Sequence, residues 1–249
     1  MAPKIEKHIS QDFFKSWTSE MAYVLGYFVA DGCISLSKGR ENNPYTFNIT
    51  SVDLDHLEKI KTALKSEYKI SKKSGGSDDI AYQIQIRNST LCRDLIKLGI
   101  HPRKTYNLEP INVSDKYFPD FVRGFFDGDG SVYIYNVNKA PQIKVSFVAA
   151  SQSFIKKFNS DLCKHLKIEE KSVHQTKYKS SKTMIQYSVC FYVDDSKKLS
   201  EFMYGQNPTL YLERKKEIFD KWRLAKRRHY NKQNYPSKIG WHLNEGLKI

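Results

Sequence analysis

The sequence predicts an α+β protein built from two pseudo-symmetric αββαββα halves. Each half carries antiparallel strands, and one apolar helix from each packs against its counterpart at the centre. Three observations predict this. The stretch YVLGYFVADGCIS (23–35) has a partner in FVRGFFDGDGSVY (121–133): Gly26 matches Gly124, Asp31 matches Asp129 and Gly32 matches Gly130, each pair 98 residues apart. The same offset carries Leu57, Ile60, Leu64, Tyr68 and Ile70 onto Ile155, Phe158, Leu162, Leu166 and Ile168. A constant spacing over roughly 45 residues marks an internal duplication. Behind each motif, polar and apolar residues alternate with the period of strands that bury one face.

The elements follow in order. Residues 1–17 form an N-terminal arm, 18–102 the first half, 103–117 a linker, 118–226 the second half and 227–249 a basic tail. Each half opens with an apolar helix, 19–30 and 119–128, and Pro119 suits a first helical turn. Strand 45–51 puts Thr46, Asn48 and Thr50 on one face, and strand 142–147 puts Gln142, Lys144 and Ser146 there. Amphipathic helices come next, with Asp53 and Ser151 at their N-caps. Strand 82–87 aligns Gln83, Gln85 and Arg87, and strand 184–193 aligns Gln186 and Ser188. Helices near 89–98 and 195–204 close the halves, a further helix covers 209–226, and 221–249 holds eight Lys/Arg against one acid.

Composition narrows the function. The 249 residues are 40% hydrophobic, enough for a sizeable core, and carry a net charge of +14. Such an excess of cations points to a polyanionic partner, nucleic acid before an anionic membrane surface. No stretch approaches the ~20 apolar residues of a membrane span, and Met1–Trp17 has no apolar core of signal-peptide type. Cys33, Cys92, Cys163 and Cys190 lie far apart without a CxxC pair, which argues against structural zinc and suits free thiols in a reducing, intracellular compartment. No GxGxxG or GxxxxGK[ST] stretch supports nucleotide-dependent metabolism.

The two helix ends carry the chemistry. Gly26 with Ala30, and Gly124 with Gly128, place small residues four apart on one face, so two backbones can approach closely. Asp31 and Asp129 then fall at helix C-termini, where partial negative charge disfavours a carboxylate by roughly 0.3–1 kcal/mol. Packing the helices side by side adds like-charge repulsion. An isolated Asp-Gly would read as a turn, but two copies at matching positions in a basic chain read as a site for divalent cations. Oxygen ligands with room for water suit Mg²⁺, and shared cations are a standard means of in-line phosphodiester cleavage.

The two stretches, VLGYFVADG (24–32) and VRGFFDGDG (122–130), resemble the motifs of the LAGLIDADG homing endonucleases, and the resemblance extends over about 19–226. Two motifs in one chain look like the single-chain, monomeric meganuclease branch, often intron-encoded. The resemblance implies a saddle of antiparallel sheets that binds double-stranded DNA. It implies an Mg-dependent, site-specific double-strand endonuclease that leaves short 3′ overhangs. It makes Asp31 and Asp129 the catalytic metal ligands, with Gly32 and Gly130 beside them at the metal and two or three ions between the acids. Mn²⁺ or Ca²⁺ would substitute for Mg²⁺ in a crystal. Asp127 matches the motif's earlier acid, which is not a main ligand, and Val29 replaces it in the first motif. Lys104 and Lys215, with Lys216 as a substitute, match the family's active-centre lysines. Ser51 and Ala149 occupy a water-positioning place, so the two half-sites are unequal. An organelle matrix or a bacterial or phage cytoplasm is the expected location.

On such a saddle the polar strand faces follow the major groove over about 20 bp. Ser35, Ser37, Asn48, Gln83, Gln85 and Arg87 are the expected base readers in the first half. Tyr133, Tyr135, Gln142, Lys144, Ser146, Gln186 and Ser188 are those in the second. Lys38, Arg40, Lys139, Lys177 and Lys179, in loops or at strand ends, are expected at phosphates. The alternative is a binding protein on the same scaffold, an RNA maturase or a DNA-binding regulator.

Overall fold

The computed structural model describes residues 8–37, 44–73, 80–177 and 185–234. The first half runs α1 (Ser19–Asp31), β1 (Gly32–Leu36), β2 (Tyr45–Ser51), α2 (Leu54–Ala63), β3 (Ile70–Lys73), β4 (Ala81–Arg87) and α3 (Ser89–Lys97). The linker contains a single turn, α4 (Lys104–Asn107), and a 3-10 turn at Asp115–Tyr117. The second half runs α5 (Phe118–Asp129), β5 (Ser131–Val137), β6 (Ala140–Ala149), α6 (Gln152–Leu166), β7 (His174–Lys177), β8 (Ile185–Tyr192) and α7 (Val193–Tyr204), and α8 (Glu213–Asn234) follows. The expected αββαββα order is present twice. Among the described residues, no helix is long and apolar enough to cross a membrane.

Each half forms a four-stranded antiparallel sheet of the same order, β1-β2-β4-β3 and β5-β6-β8-β7. The register shows where the two copies drift apart. Ser51 pairs with Tyr82 and Ala149 with Tyr187, so the 98-residue offset of the motifs has become 105 by the last central strand. Tyr82, Gln83, Gln85 and Arg87 therefore correspond to Tyr187, Ser188, Cys190 and Tyr192. The β5–β6 hairpin closes on Asn138 and Lys139, both at positive φ (49° and 65°), the backbone that a tight two-residue turn requires.

One face of each sheet is apolar. Phe47, Ile49, Ile84 and Ile86 on one sheet, and Ile143, Val145, Phe147 and Phe191 on the other, are fully buried against the helices. Phe28 stacks on Phe47 at 4.5 Å between centroids, and Phe125 lies 5.7 Å from Phe147. The alternation that buries these side chains turns the intervening polar residues to the opposite face.

At the centre, α1 and α5 meet backbone to backbone. A Cβ on Gly26 would lie 2.1 Å from the Phe121 carbonyl oxygen, and one on Gly124 would lie 2.0 Å from the Tyr23 carbonyl oxygen. The expected small-residue seam is thus present, and any side chain at either glycine would force the helices apart.

Several expectations need correction. From residue 8 onward the arm packs on the first half: Ile9 and Phe14 are buried, and the Ser10 amide donates to the Leu64 carbonyl. Helix α8 continues past 226 to Asn234. Asp53 holds the N-cap position of α2 without capping it, because Arg214 takes its carboxylate through three contacts of 2.9–3.2 Å. Ser151 does cap α6, accepting from the Phe154 amide at 3.3 Å.

Candidate metal centre and nucleic-acid interface

The chain leaves α1 and α5 at Asp31 and Asp129 and turns at once into β1 and β5. Gly32 and Gly130 at these corners lie against Phe28 and Phe126, where a Cβ would come within 2.2–2.3 Å of the rings. The seam brings the acids together: a Cβ on Gly128 would lie 2.2 Å from Ala30 Cβ and 3.5 Å from Asp31 Oδ2. Loss of hydration and the charge of Asp31 push the Asp129 carboxyl up to about 6. Loss of hydration also raises Asp31, against the Tyr27 hydroxyl and the ammonium groups of Lys215 and Lys104.

Both predicted lysines reach the centre, and the structure gives them a specific task. Lys215, only 6% exposed, donates to the carbonyls of Phe126 (2.7 Å), Asp127 (2.8 Å), Gly128 (3.2 Å) and Gly130 (2.6 Å). It closes the C-terminus of α5, where these acceptors would otherwise be orphaned. Lys104 does the same for α1 through one bond, donating to the Val29 carbonyl at 2.6 Å. Burial lowers both, Lys215 to about 8, while the acids pull them back up. A lysine at each end offsets the dipole and the acid together. The two cross over: Lys104 lines the cleft beside Asp129, and the charge of that acid acts on it more than that of Asp31 does. Lys216 instead faces Asp220 and the Tyr211 ring, outside the centre.

The two clefts beside the acids differ. Tyr27, Thr50, Ser51, Asp53 and Arg214 line the one at Asp31, whereas Ala149, Ala150 and Phe125 line the one at Asp129. Ser51 Oγ accepts from the Tyr27 hydroxyl at 3.1 Å and has no hydroxyl counterpart at Ala149. The Arg214–Asp53 pair is beyond the reach of the repeat argument, because α8 has no equivalent in the first half.

Asp127 stands apart from the metal end. It is 2% exposed, and its Oδ2 accepts from the Tyr23 hydroxyl at 2.6 Å and the Leu212 amide at 2.8 Å. His56 Nε2 lies 3.0 Å from the same hydroxyl. Burial pushes the Asp127 carboxyl up to about 7 and holds His56 down at about 4. Asp127 thus ties α1, α5 and the approach to α8 into one network, a structural task that Val29 does not share.

Oxygen donors on two acids, both raised by burial and Asp129 also by the charge of Asp31, fit a divalent cation, since a positive charge beside them relieves both effects. Among the described residues no group of three or more His, Cys, Asp and Glu converges, so the remaining ligands would be backbone, water or substrate oxygens. The Gly130 carbonyl already accepts the Lys215 ammonium, so a cation there would share that oxygen.

The polar sheet faces hold most of the expected base readers. Ser35, Gln85, Arg87 and Tyr133 are exposed; Ser37, Gln83, Tyr135, Gln142, Lys144, Ser146, Gln186 and Ser188 are half-buried. Asn48 differs: it is 4% exposed and donates to Ser35 Oγ at 2.9 Å and the Thr46 carbonyl at 3.1 Å. On a central strand, in register between Cys33 and Gln85, it spends its amide within the sheet surface. Lys139 and Lys177 are exposed; Lys38, Arg40 and Lys179 lie outside the described residues. Cys190 and Tyr192 share the polar face but were missed, although the period-two alternation through Gln186 and Ser188 runs straight to them.

Residues 18–102 match the LAGLIDADG-like domain family. The uncharacterized protein MJ0398 of Methanocaldococcus jannaschii is 26% identical over 183 residues, 73% of this chain and 60% of that protein, so the chain spans under two thirds of that relative's length. Among solved structures, the LAGLIDADG homing endonuclease I-GzeII, in complex with its DNA target, aligns with a TM-score of 0.58 at 12% identity over 90% of this chain and 94% of that one. The meganuclease I-SmaMI, bound to DNA, aligns at 0.56 and 16% identity over 87% and 93%. I-LtrWI, also bound to target DNA, aligns at 0.53 and 13% identity over 92% and 94%. At such identities the likeness establishes the fold. Residues 18–102 are therefore a LAGLIDADG-like domain, and the chain as a whole has the fold of these solved homing endonucleases.

Proposed function

We propose that this chain is a site-specific DNA endonuclease that cuts both strands of a target of about 20 bp, using Mg²⁺ and leaving short 3′ overhangs. The observation that carries the reading is the meeting of Asp31 and Asp129 at the ends of two helices packed through bare backbone. Lys104 and Lys215 offset only part of the cost of two carboxylates at that point, since Asp129 stays raised, and a metal ion between them would offset the rest.

Asp31 and Asp129 would hold the cation. When bound, it polarises the scissile phosphate and lowers the pKa of a coordinated water. The chain's own residues do the rest. Lys104 and Lys215 fix the helix ends and hold the acids towards their charged form, acting as positioning residues. Ser51 offers a hydroxyl beside Asp31 to orient water. The exposed strand residues would engage the major groove, and Lys139 and Lys177, exposed at a hairpin turn and a strand end, would meet the backbone phosphates. The net charge of +14 supports steep weakening of binding with salt.

The test is selection of cleaved sites from a randomised duplex library in Mg²⁺, with wild type beside Asp31→Asn and Asp129→Asn. Each variant is expected to lose double-strand cleavage and to keep specific binding in gel shift. Full cleavage by either overturns the assignment of the acids. Specific binding without cleavage by wild type would favour the maturase or regulator reading.

A further inference from the structure

The sheet register allows the two polar faces to be compared position by position. On β4 the outward positions are Gln83, Gln85 and Arg87; their counterparts on β8 are Ser188, Cys190 and Tyr192. Three long hydrogen-bonding side chains are thus replaced by two short ones and an aromatic ring. The outer strands change in the same sense. Ser35, paired with Thr46, corresponds to Tyr133, paired with Lys144, and Ser37 corresponds to Tyr135.

The second face is built around that change. Lys144 stands between Tyr133 and Tyr192 on adjacent strands, its ammonium 5.9 Å and 5.5 Å from their ring centroids. The Tyr135 ring lies 6.1 Å from that of Tyr133. The rings hold the cation in place and remain open themselves: Tyr133 is 46% and Tyr192 50% exposed. The faces differ in what they can recognise. Gln and Arg pair bidentately with adenine and guanine edges, whereas an apolar surface in the major groove meets the thymine methyl group.

We propose that the two halves read their half-targets by different chemistry: the first sheet by hydrogen bonds to purine edges, the second by aromatic contact with thymine methyl groups at Tyr133, Tyr135 and Tyr192. The inference rests on the reading of these faces as DNA-binding. It commits the second half-target to thymines at positions under the rings, and it assigns Lys144 to fixing the rings of Tyr133 and Tyr192 on either side of its ammonium.

The experiment uses the full-length protein and a duplex selected by binding in Ca²⁺, scored by gel shift so that cleavage plays no part. The half under the first sheet is identified as the one whose base preference relaxes in Arg87→Ala. Thymine is then replaced by uracil, which removes only the methyl group, in one half at a time. Replacement under the second sheet is expected to weaken binding roughly fivefold or more, against less than twofold under the first. Tyr133→Ala/Tyr192→Ala, at exposed positions that leave the core intact, is expected to be insensitive to the replacement. Equal responses in both halves, or undiminished methyl sensitivity in the double variant, overturn the inference while the DNA-binding reading stands. If the double variant binds as wild type and instead loses self-association in sedimentation, the rings belong to a protein interface and the inference fails. No binding to any duplex overturns the DNA-binding reading itself.

Discussion

At the scale of single residues, the two acids of the second motif behave oppositely. Asp129 has a partner acid and lines an open cleft; Asp127 is enclosed and bonded to Tyr23 and the Leu212 amide. Its carboxyl sits at about 7 in the fold, against about 3.9 in an unfolded chain. The folded protein therefore binds the proton more tightly. The stability this contributes is complete below about pH 4 and is lost as pH rises through about 7. Asp127→Asn keeps an oxygen for both donors and removes the charge. It is expected to be more stable than wild type at pH 8, on the order of a few kcal/mol at most, with little difference at pH 4. Thermal melts across that range decide it, and an unchanged difference between the two pH values would count against the assignment. The sequence showed that Asp127 lacked a counterpart, since Val29 faces it in the repeat. It did not show that the acid had a partner, because Tyr23 and Leu212 reach it from 104 and 85 residues away.

At the scale of elements, the ends of α1 and α5 decide what the acids can do. Lys215 gathers four carbonyl oxygens at the end of α5 and stands close enough to Asp31 and Asp129 to lower both. Lys215→Met would strip that cap and raise both acids. Stability is expected to fall by about 1–3 kcal/mol in urea denaturation, and the acid limb of the pH–rate profile should move to higher pH. A profile that stays in place would mean that the lysine is only a cap. Strands, helices and their order were readable because alternation and the repeated motif report directly on which faces are buried. Asn48 was not, because period two tells which side of a strand a residue takes and not whether its amide is already bonded to Ser35 and the Thr46 carbonyl. Arg214 drew Asp53 away from its helix because a charged fork competes well with a single cap bond.

At the scale of the whole molecule, the halves are held by more than a linker. The start of α8 returns to the first half, where Lys59 pairs with Glu213 at 2.7 Å and Asp53 with Arg214 at 2.9 Å. Both pairs are exposed and contribute little individually; the shared α1–α5 seam is the stronger tie. The two halves are therefore expected to melt as one unit, with a single calorimetric peak whose enthalpy equals the van't Hoff value. Two resolved peaks would show that each sheet stands alone. The duplication made this arrangement legible, and the drift from 98 to 105 residues made the detailed pairing of the second sheet illegible until the register was seen. The seam has a last consequence. Where Gly26 meets the Phe121 backbone and Gly124 the Tyr23 backbone, the spacing of the two acids is set by the thickness of two polypeptide backbones with no side chain between them. On the endonuclease reading, that thickness is a caliper laid across the groove, and it fixes the stagger between the two cuts while the sheets on either side are free to acquire new targets.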